Sequence, residues 1–299
     1  MRSFPATLTF ATIVVSGCVA QDTTNTSETQ AMAEIEFPDG KDVDQAYDDD
    51  FASAFAAAGE KFGVEIVWEF GELYEEYNGG VREAKQPADW EIALYAPVLL
   101  EEMRLYPDDI LEKSGVKKVL ICRDIVVTTD GLPQHISGHL DYEREALYPA
   151  TDYTYKVNNR AKQRRVLHHA LYHMIDNALG DVPEDDEWMT LLDEGFEYGQ
   201  FGEAGHTDRT SKTGLLTTEY PGFLNRYSTG HIADDKADIF AYLMVAHHYV
   251  MARAAEDEQI ARKVTMIKKR MKEFSPEMDE EFWERIDAIR RDVAPYMTL

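Results

Sequence analysis

The sequence predicts an α+β fold with a mixed sheet in its first half and a helical second half. Residues 64–70 alternate apolar and polar, and residues 116–127 form an apolar, β-branched run, so strands belong to the first half. From residue 157 on, apolar positions recur three and four apart, the period of helices. At 299 residues and 44% hydrophobic content the chain can bury one large core, and no internal repeat divides it.

Taken in order, residues 46–62 are rich in Ala and Phe at helical spacing, and residues 64–70 (VEIVWEF) follow as a strand. Asn78-Gly79-Gly80 marks a turn. Asp89 is placed to cap a helix through Glu102, which ends before Pro107. Residues 116–127 read as a central strand and its extension, interrupted near Arg123, with residues 135–142 and 144–148 as shorter strands of the same sheet.

The second half opens with the helix VNNRAKQRRVLHHALYHMIDNALG, residues 157–180. Asn158 or Asn159 can cap it, Val166, His169, His173 and Asp176 trace one buried face, and Gly180 with Pro183 closes it. Lys162, Arg164 and Arg165 are expected on the solvated side, with His168 at the surface or in a capping role. Residues 184–192 read as a short acidic helix, with Glu184–Glu187 as its solvated start. Residues 199–230, rich in Gly, Thr and Ser, read as a surface excursion of the kind that borders a substrate groove. One helix is expected from about Asp234 through AYLMVAHHYVMARA, with His247 and His248 packed in its core, and another over residues 256–273. Ser275-Pro276 would open a last helix that Pro295 stops.

The N-terminus carries its own signals. Residues 1–17 (MRSFPATLTFATIVVSG) hold one positive charge at Arg2, an apolar run too short to span a bilayer, then small residues, as in a secretory leader. Val15-Ser16-Gly17-Cys18 resembles the lipobox of bacterial lipoproteins, in which cleavage precedes an acylated cysteine. Residues 18–45 then read as an acidic flexible tether and residues 46–299 as the folded domain. The expected location is outside the cytoplasm, anchored to a membrane, at the periplasm or cell surface, through lipid on Cys18. That leaves Cys122 without a disulfide partner, a small buried hydrophobe on a strand rather than a nucleophile. A formal charge of −26 without any basic, aromatic-interleaved stripe excludes nucleic acid as a natural partner.

The chemistry concentrates in two places. His169 and His173 are four apart, so their imidazoles stack on one helical face as two ligands of a single zinc ion would. Sites with two histidines on one helix often take a carboxylate from a later helix, and a further carboxylate orients a histidine through its other nitrogen. Asp234 and Asp238, on one face of the later helix, supply such a pair. A zinc-peptidase helix reads H-E-x-x-H, with the glutamate as general base. This one reads His169-Ala170-Leu171-Tyr172-His173, with the pair present and the base absent.

HHALYHMID, followed by GFLNRYSTGHIADDKADIFAYLM, resembles the gluzincin-type zinc-binding metallopeptidases of bacteria, whose pattern is HHExxHMID, a Tyr-containing loop and E-D-x-A-E-x-F-A. The resemblance spans roughly residues 90–250 and is specific in those two blocks. It implies a gluzincin-like domain in which His169, His173 and Asp234 match the zinc ligands, Asp238 the outer carboxylate, and Tyr227 the group that polarises the scissile carbonyl. Many members of that family also look like exported lipoproteins.

Ala170 stands where the family has its catalytic glutamate, and Asp234 and Asp238 stand where it has Glu. Aspartate can ligate zinc, but the missing base is worth on the order of 10²–10⁴ in rate. The expected function is therefore that of an exported zinc metallopeptidase-like lipoprotein, impaired in catalysis, that acts on or binds peptides or proteins. The alternative is a non-catalytic peptide- or protein-binding module on a degenerate peptidase fold. A third reading, a hydrolase of another substrate, takes its base from elsewhere, with Glu194 or Glu197 as candidates.

Overall fold

A computed structural model describes residues 51–77, 80–151, 160–180, 185–200 and 214–289. The leader with Cys18, the acidic segment, Asn78 and Gly79 of the expected turn, Asn158, Asn159, Pro183, Glu184 and Pro295 lie outside them. The described residues begin with α1 (Phe51–Phe62) and β1 (Glu65–Val67), then the hairpin β2 (Glu72–Tyr77) and β3 (Gly80–Lys85). Next come α2 (Asp89–Met103), α3 (Ile110–Lys113), β4 (Lys118–Leu120), β5 (Asp124–Thr129), β6 (Leu132–Ile136), β7 (Gly138–Asp141) and β8 (Ala146–Pro149). The remainder is helical: α4 (Arg160–Leu179), α5 (Asp186–Met189), α6 (Ile232–Val245), α7 (His247–Glu256), α8 (Glu258–Phe274) and α9 (Glu280–Ile289). The class is mixed α and β, with a helical second half.

The strands form two four-stranded sheets where the sequence suggests one. A mixed sheet runs β1-β4-β8-β7, with β1, β4 and β8 parallel and β7 antiparallel to β8, while β2-β3-β5-β6 is wholly antiparallel. The run 116–127 is split between them, because the chain leaves one sheet after Leu120 and enters the other at Asp124. Residues 135–142 divide likewise between β6 and β7. The mixed sheet is the middle layer. Alternation along β8 sends Leu147 to the helical core and Ala146 and Tyr148 to the second core between the sheets, with Ile125, Val127 and Ile136. Cys122 belongs to that inter-sheet core, fully buried, and burial pushes its thiol pKa far up, which removes it as a nucleophile.

Helix boundaries follow local chemistry. The backbone N–H of Ala88 donates to the Glu91 carboxylate at 2.8 Å, so Glu91 reaches back over the start of α2, and Asp89 is a first-turn residue rather than the cap. The single helix expected after Asp234 breaks at Ala246 into α6 and α7, and His231 is the N-cap of α6, accepting from Ala233 N–H. Ser275 ends α8, and α9 starts later at Glu280, where Asp279 accepts from the backbone of Glu281 and Phe282. Among the described residues no helix is long and apolar enough to cross a membrane.

α4 is the centre of the molecule, packed against β7, β8, α2 and α6. Gly138 permits this approach, since a Cβ there would stand 2.5 Å from Val166 Cγ1. Gly180 ends the helix at φ 80°, the left-handed conformation of a helix C-terminus.

Candidate metal centre

Surrounded on several sides, α4 buries polar residues that a surface helix would expose, and each must find a partner. Arg165 is 6% exposed rather than solvated, and His168 is fully buried, not at the surface or capping. His168 joins Tyr106 at 2.5 Å through Nδ1 and Glu102 at 2.8 Å through Nε2. Asp176 pairs with Lys236 at 2.6 Å. Lys236 also reaches Asp185, so the acidic stretch is not simply a solvated helix start over its described residues 185–187: Asp185 is buried against Lys236 and Arg270.

Within this frame His169 Nε2 and His173 Nε2 stand 2.9 Å apart, and Asp234 Oδ1 lies 3.5 Å from the first and 3.7 Å from the second. One donor atom from each of the three residues falls within 4.8 Å of the others, and all three are buried. Donors bonded to one zinc at about 2.0–2.2 Å in a tetrahedron stand about 3.3–3.6 Å apart. The two Asp234 distances match that spacing, while the imidazole pair at 2.9 Å would open by a few tenths of an ångström to take the ion.

Asp238 braces the arrangement. Its Oδ1 takes the His169 Nδ1 at 2.9 Å and the Arg165 guanidinium at 2.8 Å, and its Oδ2 accepts from Asn225 Nδ2 at 2.8 Å. The contact assigns the proton of neutral His169 to Nδ1 and leaves the Nε2 lone pair facing Asp234 and His173. Burial opposes ionisation of Asp238, but the charge of Arg165 and the contact with His169 outweigh it and hold the carboxyl below its ordinary range. For His169, burial works against protonation while the Asp234 and Asp238 carboxylates raise its pKa on balance. Burial and the neighbouring His169 push His173 well down.

Tyr227 stands over the trio on a 3₁₀ turn, Tyr227–Thr229, with its ring edge-on to His169 at 5.9 Å between centroids. Burial first, then the charges of Asp234 and Asp238 and a hydrogen bond to Asp234, raise its phenol pKa well above the ordinary value. Asn225 fixes this turn to α6, because its Oδ1 accepts from Ser228 N–H at 2.9 Å while its amide holds Asp238. The later part of residues 199–230 is therefore no surface excursion, since Leu216, Phe223, Leu224, Asn225 and Tyr227 are buried.

No family model matches the chain. No curated protein matches it either. Among solved structures the chain is similar to a candidate zinc-binding metallo-peptidase from Bacteroides caccae, with a TM-score of 0.46 and 15% identity over 83% of this chain and 95% of that one.

The structure thus brings together His169, His173, Asp234, Asp238 and Tyr227, while Ala170, next to His169 in sequence, is buried in the apolar core. Glu194 and Glu197 are exposed on the segment after α5, unlike the buried trio. Two contributors escape the motif. Arg165 lies four residues before His169, and this i, i+4, i+8 series of Arg165, His169 and His173 was its available signal. Asn225 had only the weak signal of a polar residue directly after Phe223 and Leu224.

Proposed function

We propose that the chain is an exported zinc-binding protein of gluzincin type that engages peptides or proteins and is impaired as a peptidase. The observation that carries this reading is the convergence of His169 Nε2, His173 Nε2 and Asp234 Oδ1 within 4.8 Å, braced by Asp238. His169, His173 and Asp234 would hold the ion, and Asp238, with Arg165 and Asn225 behind it, would orient His169. Zinc in such a site supplies a Lewis acid for a carbonyl oxygen. Moving protons is the work of the protein, and here Ala170 offers a methyl group where a carboxylate would take a proton and return it to the leaving amine. The leader and Cys18 support a lipid anchor at the periplasmic or outer face of a membrane, and the charge of −26 argues against nucleic acid.

The burial of His169, His173 and Asp234 favours a second reading, a peptide- or protein-binding module in which the metal serves the fold. One experiment addresses both. Metal-stripped protein is titrated calorimetrically with zinc and then offered a mixed peptide pool. Expected are one zinc per chain, loss of binding in His173→Ala, and turnover far below that of an ordinary zinc peptidase. Failure to bind zinc, or undiminished binding by His173→Ala, overturns the metal assignment. Turnover at ordinary peptidase rates overturns the impairment.

A further inference from the structure

We propose that the phenol oxygen of Tyr227 is the fourth donor to the ion held by His169, His173 and Asp234, so that the chain closes its own metal centre. The inference rests on the zinc reading above and goes beyond it, because the resemblance assigns Tyr227 to the carbonyl of a substrate.

Geometry is the first support. Imidazole and phenol rings bonded to one zinc through Nε2 and Oη, at tetrahedral angles, have centroids about 6 Å apart. The rings of His169 and Tyr227 stand 5.9 Å apart at 60°. The hydrogen bond from Tyr227 to Asp234 already puts the phenol oxygen beside a ligand carboxylate. The turn is also held in place. Asn225 ties Ser228 to Asp238, Thr229 Oγ1 donates to Arg226 O at 2.7 Å, and Thr229 O accepts from Gly199 N–H at 2.9 Å.

Charge is the second and independent support. His169 and His173 are 0% exposed, Asp234 2% and Tyr227 3%, so a divalent ion here would be cut off from water. Arg165 cancels Asp238, and Lys236 is engaged by Asp176 and Asp185. Two neutral imidazoles and one carboxylate would leave the buried ion with a net positive charge, which is costly where no solvent relieves it. A phenolate brings the centre to neutrality. As the oxygen–metal bond forms, the O–H bond of Tyr227 breaks and its proton leaves on water shed by the entering hydrated ion, one per ion, to be taken up by the buffer. A catalytic zinc keeps a position open, whereas a closed four-donor site is the structural kind.

The test uses the full-length chain, stripped of metal and titrated with zinc chloride at pH 7 while near-ultraviolet difference absorbance is read. The expected result is the difference band of one tyrosinate, saturating at one zinc per chain. Tyr227→Phe should lose the band and still bind one zinc, with affinity lower by about tenfold or more. Zinc binding by the wild-type chain without a tyrosinate band overturns this inference and leaves the metal reading standing, as does a band that persists in Tyr227→Phe. A wild-type chain that binds no zinc overturns the metal reading and this inference with it. Should Tyr227→Phe fail to fold, the wild-type spectrum decides alone.

Discussion

One oxygen of Asp238 receives both the guanidinium of Arg165, at 2.8 Å, and the imidazole Nδ1 of His169, at 2.9 Å. A residue on the side of α4 that the sequence assigned to solvent thus helps fix, through a carboxylate of α6, which nitrogen of His169 faces His173 and Asp234.

Arg165→Met removes the charge that keeps Asp238 ionised and leaves a buried carboxylate without its main partner. Zinc affinity should fall roughly 10–100-fold, as for the loss of other outer partners of a ligating histidine. Chemical denaturation should show a loss of about 3–5 kcal/mol, the usual cost of breaking one side of a buried ion pair. Asp238→Ala should weaken zinc to a similar degree. Zinc binding that is unchanged in both variants would show that this bracing is irrelevant to the metal.

Ala170→Glu restores a carboxylate next to His169, but with Tyr227 occupying the fourth position it should raise zinc-dependent peptide hydrolysis little. The double variant Ala170→Glu/Tyr227→Phe opens that position and should exceed the parent by roughly 10²-fold or more. A full gain from Ala170→Glu alone, read as peptide turnover, would mean that the centre is open in the parent.

Acid should destabilise the fold through His139 on β7. Burial first, and then the charge of Arg82, push its pKa down to about 3, against a partial upward pull from Asp141, and the rings of Tyr77 and Tyr148 face it. The folded chain therefore prefers neutral His139, while the unfolded chain takes up a proton below about pH 6.5. This contribution is complete above pH 6.5 and is lost between pH 6.5 and 3 at about 1.4 kcal/mol per unit. Below about pH 4 the loss of the Asp185 ion pair adds to it. Burial opposes ionisation there, but Arg270 outweighs it and holds the carboxyl at about 2. Urea denaturation at stepped pH should show the slope, and His139→Gln should flatten it between pH 6.5 and 4.

Cys18→Ser should release the protein from the membrane fraction of the expressing cells. A Cys18→Ser protein that is correctly processed yet stays membrane-bound would remove the lipobox from the account.

The course of the backbone was legible wherever one local pattern had one physical meaning. Helical spacing marked α1, α4 and α8, and apolar, β-branched runs marked β4 and β5. The two-sheet arrangement was not legible. Residues 116–127 carry a strand signature interrupted only near Arg123, and that the chain changes sheets there depends on which strands stand on either side. The break at Ala246 also escaped, since the apolar pattern runs through it and alanine favours helix.

By itself, the sequence determined that His169 and His173 share a helical face, that Ala170 stands between them without a carboxylate, and that Asp234 and Asp238 lie one turn apart on a later helix, because covalent order and the 3.6-residue period suffice for that. Only the tertiary structure decided that α4 is enclosed on several sides, which turns Arg165 and His168 inward and obliges each to find a buried partner. It also decided that Asn225 meets Asp238 and Tyr227 meets His169, because the approach of that turn to α4 is set by the packing of α6 against α4 and not by any spacing along the chain.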